Sequence, residues 1–74
     1  MAKTTDQIVR IVAAGGGVIV DAASKTSDQL ARVAAAAAAS GATVVMKNAS
    51  GKTSDQLARI GAAGRGRVIL DLTT

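Results

Sequence analysis

Cysteine, histidine, phenylalanine, tyrosine and tryptophan are all missing from this chain of 74 residues. Without cysteine there is no disulfide framework and no indication of redox compartment, and without cysteine and histidine there is no soft-metal site. The same two absences remove the commonest general base and the most reactive nucleophile. Without aromatic rings the core has no large anchors, and a nucleic-acid surface has no stacking platform. Proline and glutamate are missing as well, which leaves thirteen residue types. So narrow an alphabet fits an idealised, engineered or consensus sequence, and fits equally a natural repeat of biased composition. At this length one aliphatic core only just offsets the entropy of ordering the chain, and a partner subunit is the common stabiliser that the composition leaves open.

Nine basic residues against five acidic ones give a net charge of +4. That balance permits binding to nucleic acid or to an anionic membrane surface and requires neither. Runs such as Val18-Ile19-Val20 are far shorter than the roughly 20 apolar residues of a bilayer span, and Met1-Ala2-Lys3 does not open a signal peptide. The expectation is a cytoplasmic protein that does not touch membranes and has no cofactor, metal or small-molecule substrate.

The dominant feature that is present is a repeat. Lys3-Thr4-Thr5-Asp6-Gln7-Ile8-Val9-Arg10 recurs as Lys25-Thr26-Ser27-Asp28-Gln29-Leu30-Ala31-Arg32. It recurs again, identically to that second copy, as Lys52-Thr53-Ser54-Asp55-Gln56-Leu57-Ala58-Arg59. The chain therefore reads as a single repeat domain over residues 1–74, with units at 3–24, 25–51 and 52–74. Thr4, Thr26 and Thr53 each stand three residues before a glutamine, the spacing at which hydroxyl and amide each satisfy an orphaned backbone N–H at a helix start. Asp6, Asp28 and Asp55 follow in the first turn, where the helix dipole favours negative charge. Each also stands four residues before an arginine, which predicts the ion pairs Asp6–Arg10, Asp28–Arg32 and Asp55–Arg59 along solvated helix faces.

Apolar residues at Ile8, Ile11 and Val12, at Leu30, Val33, Ala34 and Ala37, and at Leu57 and Ile60 form the stripe of a buried helix face. Gly15, Gly41 and Gly64 suit left-handed helix ends. The run Ala34 to Ala39 makes the middle helix about one turn longer than the others. After each glycine comes a β-branched run, at Val18-Ile19-Val20, Val44-Val45-Met46 and Val68-Ile69-Leu70. Strands alternating with helices imply right-handed crossovers and a parallel sheet, hence the α/β class.

The two faces of that sheet separate by parity. Val18, Val20, Ala22, Val44, Met46, Val68, Leu70 and Leu72 make a mostly apolar face, which is assigned to the helices. The other face carries a narrow apolar row, Ile19, Val45 and Ile69, fringed by polar groups. With the strands in sequence order, Lys47 falls between Asp21 and Asp71, so that unlike charges neighbour each other across the ladder. Order 1-2-3 leaves all three helices on one face and the Ile19, Val45, Ile69 row open.

Parallel α/β proteins gather their sites at the carboxyl ends of the strands, where Asp21, Lys47 and Asp71 lie. A catalytic trio there would lack a histidine or cysteine partner, and a salt-bridged structural rim is the expected role. Ser50-Gly51-Lys52-Thr53 occupies the place of a phosphate-binding loop, but that pattern requires a glycine five positions before Gly51 and finds Met46. Lys3, Lys25, Lys47 and Lys52 share the end that carries the strand-end aspartates, while Arg65 and Arg67 lie at the other end. Arg65, Arg67 and Lys52 are the candidate anion contacts.

Residues 6–17, Asp6-Gln7-Ile8-Val9-Arg10-Ile11-Val12-Ala13-Ala14-Gly15-Gly16-Gly17, resemble the first helix and base-reading loop of the TAL-effector DNA-binding repeats. That family continues into a second helix, whereas this chain continues into a strand, and its glycine triplet becomes Ser40-Gly41-Ala42 and Gly64-Arg65-Gly66 in the later units. DNA reading is therefore not carried over. The period falls in the range of leucine-rich repeats, whose spaced leucines and asparagine are missing.

Taken together, the sequence predicts a non-catalytic structural repeat module that self-associates, as a homodimer first, through Ile19, Val45 and Ile69. The alternative is a weak polyanion or nonspecific nucleic-acid binder using arginine, lysine and helix N-termini.

Overall fold

A computed structural model describes residues 4–73; Lys3, grouped above with the strand-end lysines, lies outside them. Helix α1 (Thr5–Ala13) leads to strand β1 (Val18–Asp21), α2 (Ser27–Ser40) to β2 (Val44–Lys47), and α3 (Ser54–Gly64) to β3 (Val68–Leu70). Short 3-10 turns, Ala22–Ser24 and Ala49–Gly51, join each of the first two strands to the next helix. The sheet is parallel in the order β1-β2-β3, with Val18 beside Val44 and Val44 beside Val68.

All three helices begin on the capping box that the threonine–glutamine spacing predicts. In α2, Thr26 Oγ1 accepts from the Gln29 N–H at 3.2 Å and Gln29 Oε1 accepts from the Thr26 N–H at 2.9 Å. The longer middle helix is also found, at 14 residues against 9 and 11. Its extra length lets Ser40, in the last turn, reach across and donate to the Val12 carbonyl of α1 at 2.6 Å.

The helices pack side by side on one face, with α2 between α1 and α3. Leu30, Val33, Ala34 and Ala37 of α2 meet Val44 and Met46 of β2 in a core completed by Val12 and Ile60, all fully buried. The core therefore centres on the middle repeat, the one with a neighbour on both sides.

Three expectations fail, each for a physical reason. The ion pairs do not run within helices. Arg32 reaches Asp6 of α1 at 2.8 Å and Arg59 reaches Asp28 of α2 at 3.4 Å, because parallel helices bring each arginine beside the aspartate of the preceding repeat. The α3 helix does end at Gly64, but the left-handed cap after it is Arg65, at φ 49°. Gly64 is instead a close-packing glycine: a Cβ there would strike Val68 Cγ2 and lie 3.1 Å from Val68 Cβ. At α1 the expectation holds: Gly15, at φ 101°, follows the cap residue Ala14, and the Gly16 N–H closes back on the Ile11 carbonyl at 3.0 Å. Finally, Ile11 and Leu72, assigned to buried faces, are 42% and 56% exposed because each lies at an end of the stack, where none of the described repeats covers it.

Candidate interface

Strand parity places Ile19, Val45 and Ile69 on the face opposite the helices, and the register sets them side by side, Ile19 against Val45 and Val45 against Ile69. Ile19 is 69% and Ile69 55% exposed, while Val45 is half-buried between its two neighbours. The result is one apolar row across the open side of the sheet.

At the carboxyl end of the strands, Asp21 lies in register with Lys47. The Asp71 N–H donates to the Met46 carbonyl at 2.9 Å, which continues the ladder past β3. The three residues thus lie at one end of the sheet, yet among the described residues neither aspartate forms an ion pair with Lys47 within 4.0 Å. Both carboxylates are engaged in turns. Asp21 Oδ1 accepts from the Ala23 N–H at 3.0 Å and from Asn48 Nδ2 at 3.2 Å. Asp71 Oδ1 accepts from the Thr73 N–H at 3.0 Å and from Thr73 Oγ1 at 2.5 Å.

Those Thr73 bonds, the side-chain one first, hold the Asp71 carboxyl below its ordinary value, with Lys47 adding a smaller effect in the same direction. A lowered carboxylate pKa means that the turn is favoured above the ordinary carboxylate range and loses that support as pH falls through the lowered value. The rim is therefore a set of capped turns and not a salt-bridged chain. Asn48, which sequence reasoning passed over, supplies the link between β1 and β2; its left-handed φ of 59° after a strand is a conformation that asparagine tolerates well.

The loop that resembles a phosphate cradle is turned toward the neighbouring repeat. Lys52 Nζ donates to the Lys25 carbonyl at 2.7 Å, and Lys25 Nζ in turn donates to Thr5 Oγ1 at 3.4 Å. Because Lys52 bonds a carbonyl and not the hydroxyl equivalent to Thr5, Ser27 Oγ is left buried without a partner. Lys52 is thus a strut between repeats, at the opposite end of α3 from Arg65 and Arg67, and the three candidate anion contacts do not form one site. Arg65 and Arg67 are both exposed.

No family model, no curated protein and no solved structure matches the chain. The geometry must carry the functional reading. Among the described residues no cluster of three or more acidic, histidine or cysteine side chains is placed to hold a metal. No helix among them is long and apolar enough to cross a membrane. What the site offers chemically is an apolar row, a flank of inter-repeat ion pairs, and edge strands at both sides of a small sheet.

Proposed function

We propose that the protein is a non-catalytic structural module, working in the cytoplasm, whose task is to associate with copies of itself through the open sheet face. The observation that carries this reading is the exposed row of Ile19, Val45 and Ile69, which offers β-branched side chains to a second identical row. Small size supports it further, since a core of aliphatic side chains without any covalent or metal staple gains most from burial against a partner. A two-fold arrangement would set the row against itself.

Replacing Ile19→Lys and Ile69→Lys together is expected to leave helix content unchanged, because both side chains already lie in solvent, and to abolish the dimer in light scattering. A wild-type chain that stays monomeric at every accessible concentration would sink the reading.

A second reading rests on Arg65 and Arg67, exposed two residues apart beyond the end of α3. If they hold polyanions, binding to random-sequence DNA at low salt will fall steeply as salt rises, and Arg65→Ala with Arg67→Ala will flatten that slope by about two counterions. DNA retention that ignores both arginines would remove it.

A further inference from the structure

The two ends of the repeat stack are the unfilled halves of one interface that the molecule already builds twice inside itself. Position by position, Ile11 corresponds to Val33 and Ile60, and Val12 to Ala34 and Gly61. Val33 and Ile60 are fully buried, whereas Ile11 is 42% exposed. Arg32 and Arg59 each reach back to the aspartate of the preceding repeat. Among the described residues no repeat stands beside Arg10 on its leading side or beside Asp55 on its trailing side, and neither has an ion-pair partner within 4.0 Å.

The same polarity runs through the apolar contacts. On the leading side, Ile8, Ile11, Val18 and Val20 line an open groove of about 340 Å³ between α1 and the free edge of β1. On the trailing side, Leu57 and Leu70 are only half-buried although their counterparts Leu30 and Met46 are fully buried, and a Cβ on Gly61 would meet nothing within 4 Å. Ala34, the counterpart of Gly61 in the middle repeat, is covered: a Cβ on Gly64 of α3 would lie 3.5 Å from it.

The backbone edges match as well. Val18 N–H donates to the Thr43 carbonyl and Val44 N–H to the Arg67 carbonyl, so the residue at this position always addresses the following strand. In a parallel ladder the intervening residues address the other side. Val68 and Leu70 therefore offer their peptide groups outward in the phase that Val44 and Met46 use inside, and Ile19 offers the phase that receives them.

Repeat proteins normally close such ends with polar capping repeats. Here Ile11 and Leu57 keep the aliphatic character of Val33 and Leu30 at the two ends of the described stack. We propose that the occupant of each end is a second copy of this chain, docked head to tail. Its β1 then continues the sheet beyond β3, its α1 lies beside α3, its Arg10 pairs with Asp55 and its Ile11 becomes buried as Val33 and Ile60 are. The contact joins unlike surfaces, so it does not stop at two copies. It uses the ends of the stack and not the open sheet face, and it holds whether or not that face also pairs.

End-blocked chains test this. Ile11→Glu blocks the leading end and Gly61→Glu the trailing end; Ile11 is 42% exposed beside an open groove and a Cβ on Gly61 would meet nothing within 4 Å, so each variant should fold with wild-type helix content. In sedimentation velocity the wild type is expected to form species that keep growing with concentration. Each blocked chain alone should weaken that growth by on the order of tenfold or more, since a carboxylate would be buried without a partner. An equimolar mixture of the two should regain one junction, because each supplies the end that the other lacks. If the open face also pairs, each blocked chain alone stops at a dimer and the mixture passes beyond it; if it does not, the blocked chains are monomers and the mixture is a dimer. A wild type that never exceeds two copies, blocked chains that grow as the wild type does, or a mixture no larger than its components would overturn the proposal.

Discussion

Leu30→Ala is expected to lower stability by about 2–5 kcal/mol, the range for emptying a well-packed leucine site, and so to unfold much of a domain this small. Leu57→Ala, in an identical stretch of sequence, should cost roughly half of that or less. The two leucines sit in the same eight-residue segment, Lys25 to Arg32 and Lys52 to Arg59. Their helix propensity, cap and near neighbours in sequence are the same, so any difference must come from tertiary packing. Leu30 is fully buried under α2, with repeats on both sides, while Leu57 in the last repeat is half-buried. Urea midpoints at unchanged slope would measure both effects. Equal losses that persist on dilution would refute the difference in burial between the two leucines.

The second large effect is a difference of sign between two glycines of one helix. Gly61→Ala should stabilise by up to about 1 kcal/mol, the ordinary gain of alanine over glycine inside a helix, because nothing lies in the way of its methyl group. Gly64→Ala should destabilise by about 1–3 kcal/mol, as overpacking does. The methyl group there would meet Val68, whose branched side chain has few alternative rotamers and whose strand is tied to β2 through the Arg67 carbonyl and the Val44 N–H at 2.9 Å. Thermal melts of the two variants should move in opposite directions. Two shifts of the same sign would refute the close approach of α3 and β3.

Much of this architecture was legible in the sequence because it follows from local rules. Thr26 and Gln29 are three residues apart whatever surrounds them, and Val44, Val45 and Met46 alternate faces in any strand. Strand order could be read from the charges closing each strand. Partner choice was not legible. Arg32 has an aspartate four residues before it on its own helix, but the one it bonds belongs to α1, and only the lateral setting of two helices decides between them. Gly64 resembled a helix terminator because a sequence does not distinguish a glycine needed for its backbone angle from one needed for its missing Cβ. Periodicity placed Ile11 on the right stripe without telling that none of the described repeats covers it. The rim residues share one end of the sheet, yet Asp21 and Asp71 bond nearby N–H and hydroxyl groups, a competition that spacing alone does not resolve.

Placing every helix on one side of the sheet also gives each repeat the shape of a wedge. Neighbouring strands stand about 4.8 Å apart, whereas packed helices need about 8–10 Å. Repeats added side by side must therefore fan out on the helical side and close up on the strand side, and an array of them bends into an arc with the bare sheet along its inner wall. Ile19, Val45 and Ile69 then line a hollow whose curvature tightens their access as the array lengthens. Two hollows cannot touch along their length, so if copies do dock head to tail, pairing through the bare sheet is confined to short arrays.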